Sequence, residues 1–150
     1  MKYAFYIGLP LLLLIMIMTA KAEDTPNSLL ESHLWEDRVV MLFAKDEANA
    51  MYMQQRDAFA NTQDALTERD VIIYDIVRYS HVKQNNAILP HISAQTFFDA
   101  FNAQTNNHPF TLLLIGKDGT IKRTEHNMVP PESLFRDIDA MPMRQREIKK

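Results

Sequence analysis

The sequence predicts a mixed α/β fold in the order strand, helix, strand, helix, strand, strand, helix. Two apolar runs rich in β-branched residues, 39–44 and 71–77, are typical of strands buried on both faces. Apolar residues between these runs recur at three- and four-residue steps, which indicates a helix, and a helix that joins two inner strands makes them parallel. Further along, Gly116-Lys117-Asp118-Gly119 separates two short runs and indicates a hairpin that closes one edge of the sheet.

The first half of the chain contains one helical pattern and two polar segments. The pattern begins at Ala48, ends near Thr67 and has six apolar residues on one face: Met51, Tyr52, Ala58, Phe59, Ala65 and Leu66. We expect residues 23–28 to be mobile, residues 29–35 to form a short amphipathic stretch, and the polar residues 78–86 to contain no strand.

The second half predicts two helices and the hairpin. Ser93 is a good N-cap for a helix that buries Ala94, Phe97, Phe98 and Phe101 and stops before Asn106, Asn107 and Pro109. Strands are expected at 110–115 and 120–124. Pro131 begins a last helix that buries Leu134, Phe135, Ile138 and Met141, and Pro142 ends it. Residues 143–150 are expected to form a basic, solvated tail, with docking on an acidic partner or anionic lipid as the alternative.

The first 22 residues have the three parts of a secretory signal peptide. Lys2 supplies the positive start, residues 4–18 form the apolar run, and Ala20-Lys21-Ala22 is a small-x-small cleavage site. The alternative is an uncleaved membrane anchor, but a helix over residues 4–18 would reach only roughly 22 Å, and the hydrocarbon core is roughly 30 Å thick. We therefore expect export to the periplasm or the medium, and a mature chain that begins at Glu23 and has no stable membrane span.

Composition excludes several functional classes. The chain has no cysteine, which excludes disulfide scaffolds, thiol redox catalysis and cysteine-ligated metals. Its formal net charge is −3, and an acidic balance argues against nucleic-acid binding. Cleavage would leave only Gly116 and Gly119, which are too few for a phosphate-binding loop. We expect no cofactor and no metal site, because none of the histidines (His33, His81, His91, His108 and His126) has metal-ligand spacing; loop or solvent-facing positions are expected for them.

The order of elements resembles the thioredoxin-like fold, a three-layer α/β/α sandwich. The stretch that carries the resemblance is His108-Pro109-Phe110-Thr111-Leu112-Leu113-Leu114-Ile115, in which a proline precedes an apolar strand, followed by the Lys117-Asp118-Gly119 turn. In that fold the proline lies beside the start of the helix after the first strand and is commonly cis. We expect residues 36–142 to form the domain, with 23–35 as its leader.

Four further segments resemble a family of short exported bacterial proteins of uncharacterised function, whose domain also occurs with Sushi repeats in vertebrate extracellular proteins. The segments are residues 35–38, 68–70, 116–119 and 138–144. The resemblance implies a peroxiredoxin-like domain without a dependable active-site cysteine. In related folds the reactive cysteine lies between the first strand and the following helix. Here that place is residues 45–52, which contain no thiol, so the fold carries over and the redox activity does not.

Six residues are candidates for binding a ligand or partner: Asp46, Tyr52, His108, Pro109, Lys117 and Asp118. Each has a purely structural alternative. Asp46 and Glu47 suit the N-cap of the first helix, and Lys117 and Asp118 suit a solvated hairpin turn. For Arg38 and Arg56 we expect ion pairs at the surface or at a strand end, with Asp57 and Asp64 near Arg56.

Two functional hypotheses follow. The first is an exported, non-catalytic module that binds an unknown protein or small ligand in the cell envelope through residues 45–52 and the His108-Pro109 loop. The second is an enzyme of non-thiol chemistry at the same edge, with His108 as the base and Asp46 as its partner. Thiol–disulfide oxidoreductase and thiol peroxidase activities are excluded because the sequence has no cysteine.

Overall fold

A computed structural model of the protein describes residues 25–103 and 107–149. The predicted signal peptide, residues 1–22, lies outside these residues, as do 23–24, 104–106 and 150. None of the helices in the described ranges has the length and hydropathy that crossing a bilayer requires.

The centre of the fold is a six-stranded mixed sheet in the order β4-β3-β2-β1-β5-β6. The strands are β1 (Arg38–Ala44), β2 (Val71–Val77), β3 (Val82–Gln84), β4 (Ala87–Ile88), β5 (Phe110–Ile115) and β6 (Ile121–Glu125). As predicted, β1 and β2 are parallel, and β5 and β6 form the antiparallel hairpin. The other neighbouring strands, β1 with β5, β2 with β3 and β3 with β4, are antiparallel.

Helices cover both faces of this sheet. They are α1 (Pro26–Ser32), α2 (Ala50–Ala60), α3 (Gln63–Glu68), α4 (Ala94–Ala100), α5 (Pro131–Asp139) and α6 (Pro142–Ile148). Residues of α2, α3 and α5 pack on one face, and residues of α1 and α4 pack on the other. The predicted three-layer α/β/α architecture is confirmed.

The side chains of β1 enter two hydrophobic cores in alternation, because successive side chains of a strand point to opposite faces of the sheet. Val40, Leu42 and Ala44 face α2, α3 and α5. Val39, Met41 and Phe43 face α1 and α4. All seven residues of β1 are buried, so the strand contacts water on neither face.

Two segments near the start of the domain differ from the sequence predictions. Residues 26–28, expected to be mobile, belong to α1, where Thr25 and Ser28 form a capping box. The single helix expected over residues 48–67 is divided into α2 and α3 at Asn61 and Thr62. The hydroxyl of Thr62 donates to the carbonyl of Ala58, 3.0 Å away, which gives the end of α2 a local hydrogen bond in place of a further helical turn.

The polar segment 78–86 and the basic tail also contain regular structure. Strands β3 and β4 lie at the edge of the sheet, where a short strand with one buried residue, Val82, is sufficient. Pro142 does not end α5, which stops at Asp139, but begins α6. The predicted solvated tail is therefore wrong for residues 143–148, because Arg144 of α6 is buried.

A buried glutamine ties α2 to the segment before α5. The side-chain amide of Gln55 donates to the Val129 carbonyl (2.9 Å) and accepts from the Val129 N–H (2.7 Å). Both partners lie in the core, so Gln55 satisfies two backbone groups that water does not reach.

A network of charges anchors α6 to the first residue of β1. Arg38 is fully buried and donates to both carboxylate oxygens of Glu147, each at 3.2 Å, and to the Arg69 carbonyl at 2.8 Å. The Lys117 ammonium lies 2.9 Å from Glu147 and 2.7 Å from Asp70. Arg38 thus forms an ion pair at a strand end, one of the two expected positions, but the pair is not at the surface because α6 covers Arg38.

Replacement of Gln55 by leucine is expected to destabilise the fold by about 2–4 kcal/mol, because it leaves the Val129 N–H and carbonyl buried without partners. Denaturant unfolding measures the loss as a shift of the midpoint at unchanged slope. The control is Gln54→Ala on the exposed face of α2, for which we expect a change within about 0.5 kcal/mol. Equal losses in the two variants would contradict this role of Gln55.

Replacement of Glu147 by glutamine is expected to cost about 1–3 kcal/mol at neutral pH, because Arg38 and Lys117 lose a carboxylate shared in a largely buried network. Burial by itself would raise the pKa of Glu147, but Lys117 and Arg38 lower it. The stabilisation is therefore present above the unfolded pKa of about 4.3 and is lost as the pH falls through the lowered pKa.

Unfolding measured across this pH range tests the prediction, with Glu31→Gln on the exposed side of α1 as the control. The gap between wild type and Glu147→Gln should close in acid. A gap that widens there, or equal losses in both variants, would contradict it.

Candidate functional site

The candidate residues divide between the two ends of the sheet. Asp46, Tyr52, His108 and Pro109 follow the end of β1 or precede β5, and these ends are neighbours because the two strands are antiparallel. The Pro109 carbonyl accepts from the Lys45 N–H at 3.1 Å. The structure therefore brings the His108-Pro109 loop beside the segment that leads into α2.

The helix start itself is capped by a residue that the sequence analysis did not select. The side chain of Asn49 accepts from the Tyr52 N–H at 3.0 Å, and its amide nitrogen lies 3.4 Å from the Pro109 carbonyl. Asp46 and Glu47 precede this cap, so the prediction that they cap α2 is wrong. The peptide bond between His108 and Pro109 is trans.

A buried carboxylate lies beneath α2. Asp75 of β2 is only 2% exposed, although the rest of its strand is apolar. Its Oδ1 has no hydrogen-bond partner and lies 3.5 Å from Nε of Arg56, which α2 extends towards it. Burial raises the pKa of Asp75, and the charge of Arg56 offsets only part of that effect. The expected pairing of Arg56 with Asp57 or Asp64 is wrong.

Tyr52 lies against this pair. Its hydroxyl is buried and makes no hydrogen bond of ordinary geometry. Burial raises the pKa of Tyr52 to about 12, and the charge of Asp75 adds to the rise while that of Arg56 opposes it. The phenol is therefore protonated throughout the physiological range.

His81 directly precedes β3, the strand that pairs with β2, and the charge of Asp75 influences it. Its Nδ1 lies 3.2 Å from Glu47 and 2.8 Å from the Ser80 hydroxyl, while its Nε2 is buried without a partner. Burial and the charge of Lys83 lower the pKa of His81, and Glu47 opposes them. We refer to Tyr52, Arg56, Asp75 and His81 together as the Asp75 cluster.

A cavity of about 320 Å³ opens beside this cluster. Arg56, Asp75, Asn85 and Asn86 are among its polar lining residues, and Leu42, Phe59 and Ile73 are among its apolar ones. Arg56 also donates to the side-chain oxygen of Asn86 and so connects α2 to the β3–β4 turn. The volume is at the lower limit for ligand pockets and suits a small polar molecule.

The two histidines nearest β5 form a separate pair. The ring of His108 stacks on that of His126, with centroids 3.6 Å apart, and Nδ1 of His126 lies 3.1 Å from the Thr111 hydroxyl. Asp46 has no side-chain hydrogen bond or ion pair in the described residues, and none joins it to His108. His33 lies in the turn after α1, so the expected loop position holds, but its side chain is buried and bonded to Asp37 and Tyr74 rather than facing solvent.

Lys117 and Asp118 lie at the opposite end of the sheet. Asp118 performs the predicted turn role, because its Oδ1 accepts from the Thr120 N–H at 3.1 Å. A hydrogen bond from Lys122 lowers its pKa to about 2. Lys117 is 8% exposed and turned towards Asp70 and Glu147, so the expectation that both residues form a solvated tip is wrong for Lys117.

The Asp75 cluster offers hydrogen-bonding and acid–base groups but no thiol, because the chain has no cysteine. Within residues 25–103 and 107–149 no group of three or more His, Asp or Glu side chains is arranged to hold a metal ion. Sequence analysis identified Tyr52 but not Asp75, Arg56 or His81. One signal was present, since Asp75 is the single charged residue in the apolar run 71–77.

The stability contribution of Asp75 is expected to depend on pH in the opposite sense to that of Glu147. A raised pKa means that the folded state retains the proton to a higher pH than the unfolded chain does. Relative to Asp75→Asn, the wild type should therefore gain stability as the pH falls from neutral through the raised pKa, by about 1.4 kcal/mol for each unit of the rise. Unfolding free energies of both proteins across this range measure the gain.

The non-titrating variant Gln54→Ala should keep a constant difference from the wild type over the same pH range. A difference between wild type and Asp75→Asn that stays constant, or that grows as the pH rises, would contradict the predicted rise in the pKa of Asp75.

Comparison with solved structures supports the fold. The chain is similar to thioredoxin peroxidase I of Plasmodium yoelii, with 14% identity, a TM-score of 0.55, and 78% of this chain and 79% of that chain covered. Prx1a of the same organism, modified at its N-terminus and described as an artifactual octamer, gives 14% identity, a TM-score of 0.55 and coverage of 78% and 80%. At this identity the likeness establishes the thioredoxin-like fold alone. A search of curated protein sequences finds no significant match.

The sequence also matches a family model described as a domain of unknown function, over residues 29–147. The match begins within α1 and ends within α6, so it includes every strand of the sheet and the charge network around Arg38. The chain belongs to the DUF4174 family.

Proposed function

We propose that the protein is an exported, thiol-independent binding module, which uses a thioredoxin-like fold to hold a small polar ligand at the Asp75 cluster. The observation that carries the proposal is the buried carboxylate of Asp75, which forms part of a cavity wall and has an oxygen without a hydrogen-bond partner. The proposed site lies between the second half of α2 and the β2–β4 side of the sheet, and the His108-Pro109 loop is not part of its lining.

Energetic reasoning supports a ligand at this cluster. A buried polar atom without a partner costs about 1–3 kcal/mol, and the cluster has such atoms on Asp75, Tyr52 and His81. The nearest cation, Arg56, is about one-third exposed and divides its contacts between Asp75 and Asn86. A small movement of Arg56 would open the carboxylate to the cavity, where a ligand's donor group would supply the missing hydrogen bond.

Binding is preferred here to catalysis because the residues of the catalytic hypothesis do not form a pair. A general base must lie within hydrogen-bond reach of its proton donor and be oriented by a partner. His108 instead stacks on His126, and Asp46 has no side-chain bond. Lys117 and Asp118 lie at the other end of the sheet and are not part of this proposed site.

Affinity selection from an envelope extract tests the proposal. The mature chain is incubated with the small-molecule fraction, and retained compounds are identified by mass spectrometry. We expect at least one polar compound whose affinity falls by about tenfold or more in Asp75→Asn, the effect of one lost hydrogen bond to a charged group.

Two further variants distinguish binding from folding. Gln63→Ala removes an exposed polar side chain that lines the cavity, so it should retain stability and still weaken binding of the same compound. Gln54→Ala, on the exposed face of α2, should change neither. Retention of no compound, or equal retention by the wild type and both site variants, would refute the proposal.

A further inference from the structure

The lining of the cavity beside the Asp75 cluster is balanced in charge. Among the described residues that line it, Arg56 carries the one positive charge and Asp75 the one negative charge. Nε of Arg56 lies 3.5 Å from Oδ1 of Asp75, so each charge offsets the other. A ligand with a net charge would lose hydration on entry and would meet no unpaired opposite charge in the lining. The lining therefore favours a ligand without net charge.

The same lining contains a hydrogen-bond acceptor without a donor. The side chain of Asp75 is 3% exposed, and its Oδ1 has no hydrogen-bond partner. At 3.5 Å, Arg56 compensates the charge of this oxygen but lies beyond ordinary hydrogen-bond distance. A buried acceptor of this kind is rare in folded proteins. A ligand that satisfies it must present a donor to Asp75.

Hydrogen-bond donors come from Arg56 and from the β3–β4 turn, whose residues Asn85 and Asn86 line the cavity. The side-chain oxygen of Asn85 accepts from the Ile73 N–H at 2.9 Å, and that of Asn86 accepts from the Arg56 guanidinium. Because both oxygens are engaged, each asparagine offers a ligand its NH₂ group rather than its oxygen. A ligand in this cavity therefore needs acceptors as well as a donor.

Hydroxyl groups meet both needs, because each can donate one hydrogen bond and accept others. Two hydroxyls on adjacent carbons can donate to Asp75 and accept from Arg56 or an asparagine amide at the same time. Leu42, Phe59 and Ile73 also line the cavity and can pack against the C–H groups of a ring. The volume of about 320 Å³ is at the lower limit for ligand pockets, which suits a single sugar ring.

We infer that this cavity binds a neutral monosaccharide, an inference that rests on the proposed function of the Asp75 cluster. Asp75 accepts from one hydroxyl, and Arg56 and Asn86 donate to neighbouring ones. A uronate carries a charge that Asp75 repels, and an amino sugar carries one that Arg56 repels. The charged ends of a zwitterionic amino acid lose more hydration energy than hydroxyls do. The neutral sugar therefore binds most tightly of these four classes.

Saturation-transfer NMR with matched sugars tests the inference. Glucose, galactose and mannose are titrated into the mature protein, each beside its uronate and its 2-amino sugar, with alanine as the zwitterion. We expect saturable binding of at least one neutral sugar, and binding at least fivefold weaker for its two charged counterparts and for alanine. The side-chain NH₂ resonances of Asn85 and Asn86 should shift with the neutral sugar, which locates it in the cavity.

Asn86→Gly tests the donor without disturbing the turn. The φ of Asn86 is 71°, a conformation that glycine adopts readily, so the variant should keep the stability of the wild type. It removes an NH₂ group from the lining and should weaken binding of the neutral sugar about fivefold. Asn102→Gly is the matched control, because Asn102 also has a positive φ, 51°, and does not line this cavity. That control should bind the sugar as the wild type does.

Asp75→Asn tests the charge balance, because it leaves Arg56 without the carboxylate that offsets its charge. Binding of the neutral sugar should fall about tenfold. Its preference over the matching uronate should shrink at least fivefold, because the uronate then meets an unpaired guanidinium. Thermal unfolding checks that the variant remains folded, and Asn86→Gly decides the test if it does not.

Three results would overturn the inference. They are no saturable binding of any of the neutral sugars, a uronate, amino sugar or alanine that binds as tightly as the neutral sugar, and equal sugar binding by Asn86→Gly and wild type. Affinity selection tests the proposed function separately. A retained compound with a net charge, whose binding falls in Asp75→Asn, would support that function and overturn the assignment of a neutral sugar, so the two failures are distinguishable.

Discussion

The burial of β1 on both faces is the constraint on which the rest of the structure depends. Every residue of the strand is buried, and it pairs with β2 on one side and β5 on the other. Its alternating side chains require helices on both faces of the sheet, which α2, α3 and α5 provide on one side and α1 and α4 on the other. The strand is therefore covered on both faces, and the cavity beside Asp75 reaches it at Leu42, between the second half of α2 and the β2–β4 side of the sheet.

Two buried charged residues beside this core, Arg38 and Asp75, differ in how closely an opposite charge pairs with them. Arg38, at the first position of β1, donates from Nη2 to both oxygens of Glu147 and from Nη1 to a backbone carbonyl, so its charge is paired although its buried Nε has no hydrogen-bond partner. Asp75, in the middle of β2, has a cation at 3.5 Å and one oxygen without a hydrogen bond. The paired charge of Arg38 has a structural role, because its contact with Glu147 holds α6 against the sheet. An incompletely compensated charge next to a cavity is a strained feature, and such features are more frequent at functional sites than elsewhere.

The sequence predicted the elements that periodicity and turn chemistry specify. β2 has the expected bounds, and Ser93 caps α4 as expected, because a β-branched run and a capping residue act locally. Contacts between distant segments were not predictable in this way. Glu147 lies 109 positions after Arg38, so a segment that looks like a charged tail becomes an ordered helix only when the folded sheet presents its partners. Asp75 was missed for the same reason, since an acid within an apolar run shows that something must compensate it but does not identify Arg56 or His81.

Because the chain has no cysteine, the edge where β1 leads into α2 cannot act through a thiol. In the resembling folds a thiol acts there, whereas in this chain the helix begins with Asn49, whose side chain contacts both the helix backbone and the Pro109 carbonyl. The amide thus links the first turn of α2 to the Pro109 carbonyl, and the polar groups of Tyr52 and Arg56 follow about one and two turns further along the helix. Burial keeps the phenol protonated and raises the pKa of the Asp75 carboxyl, while the charge of Arg56 opposes that rise. The groups at the Asp75 cluster are therefore hydrogen-bond donors and acceptors held beside a cavity, with no thiol among them.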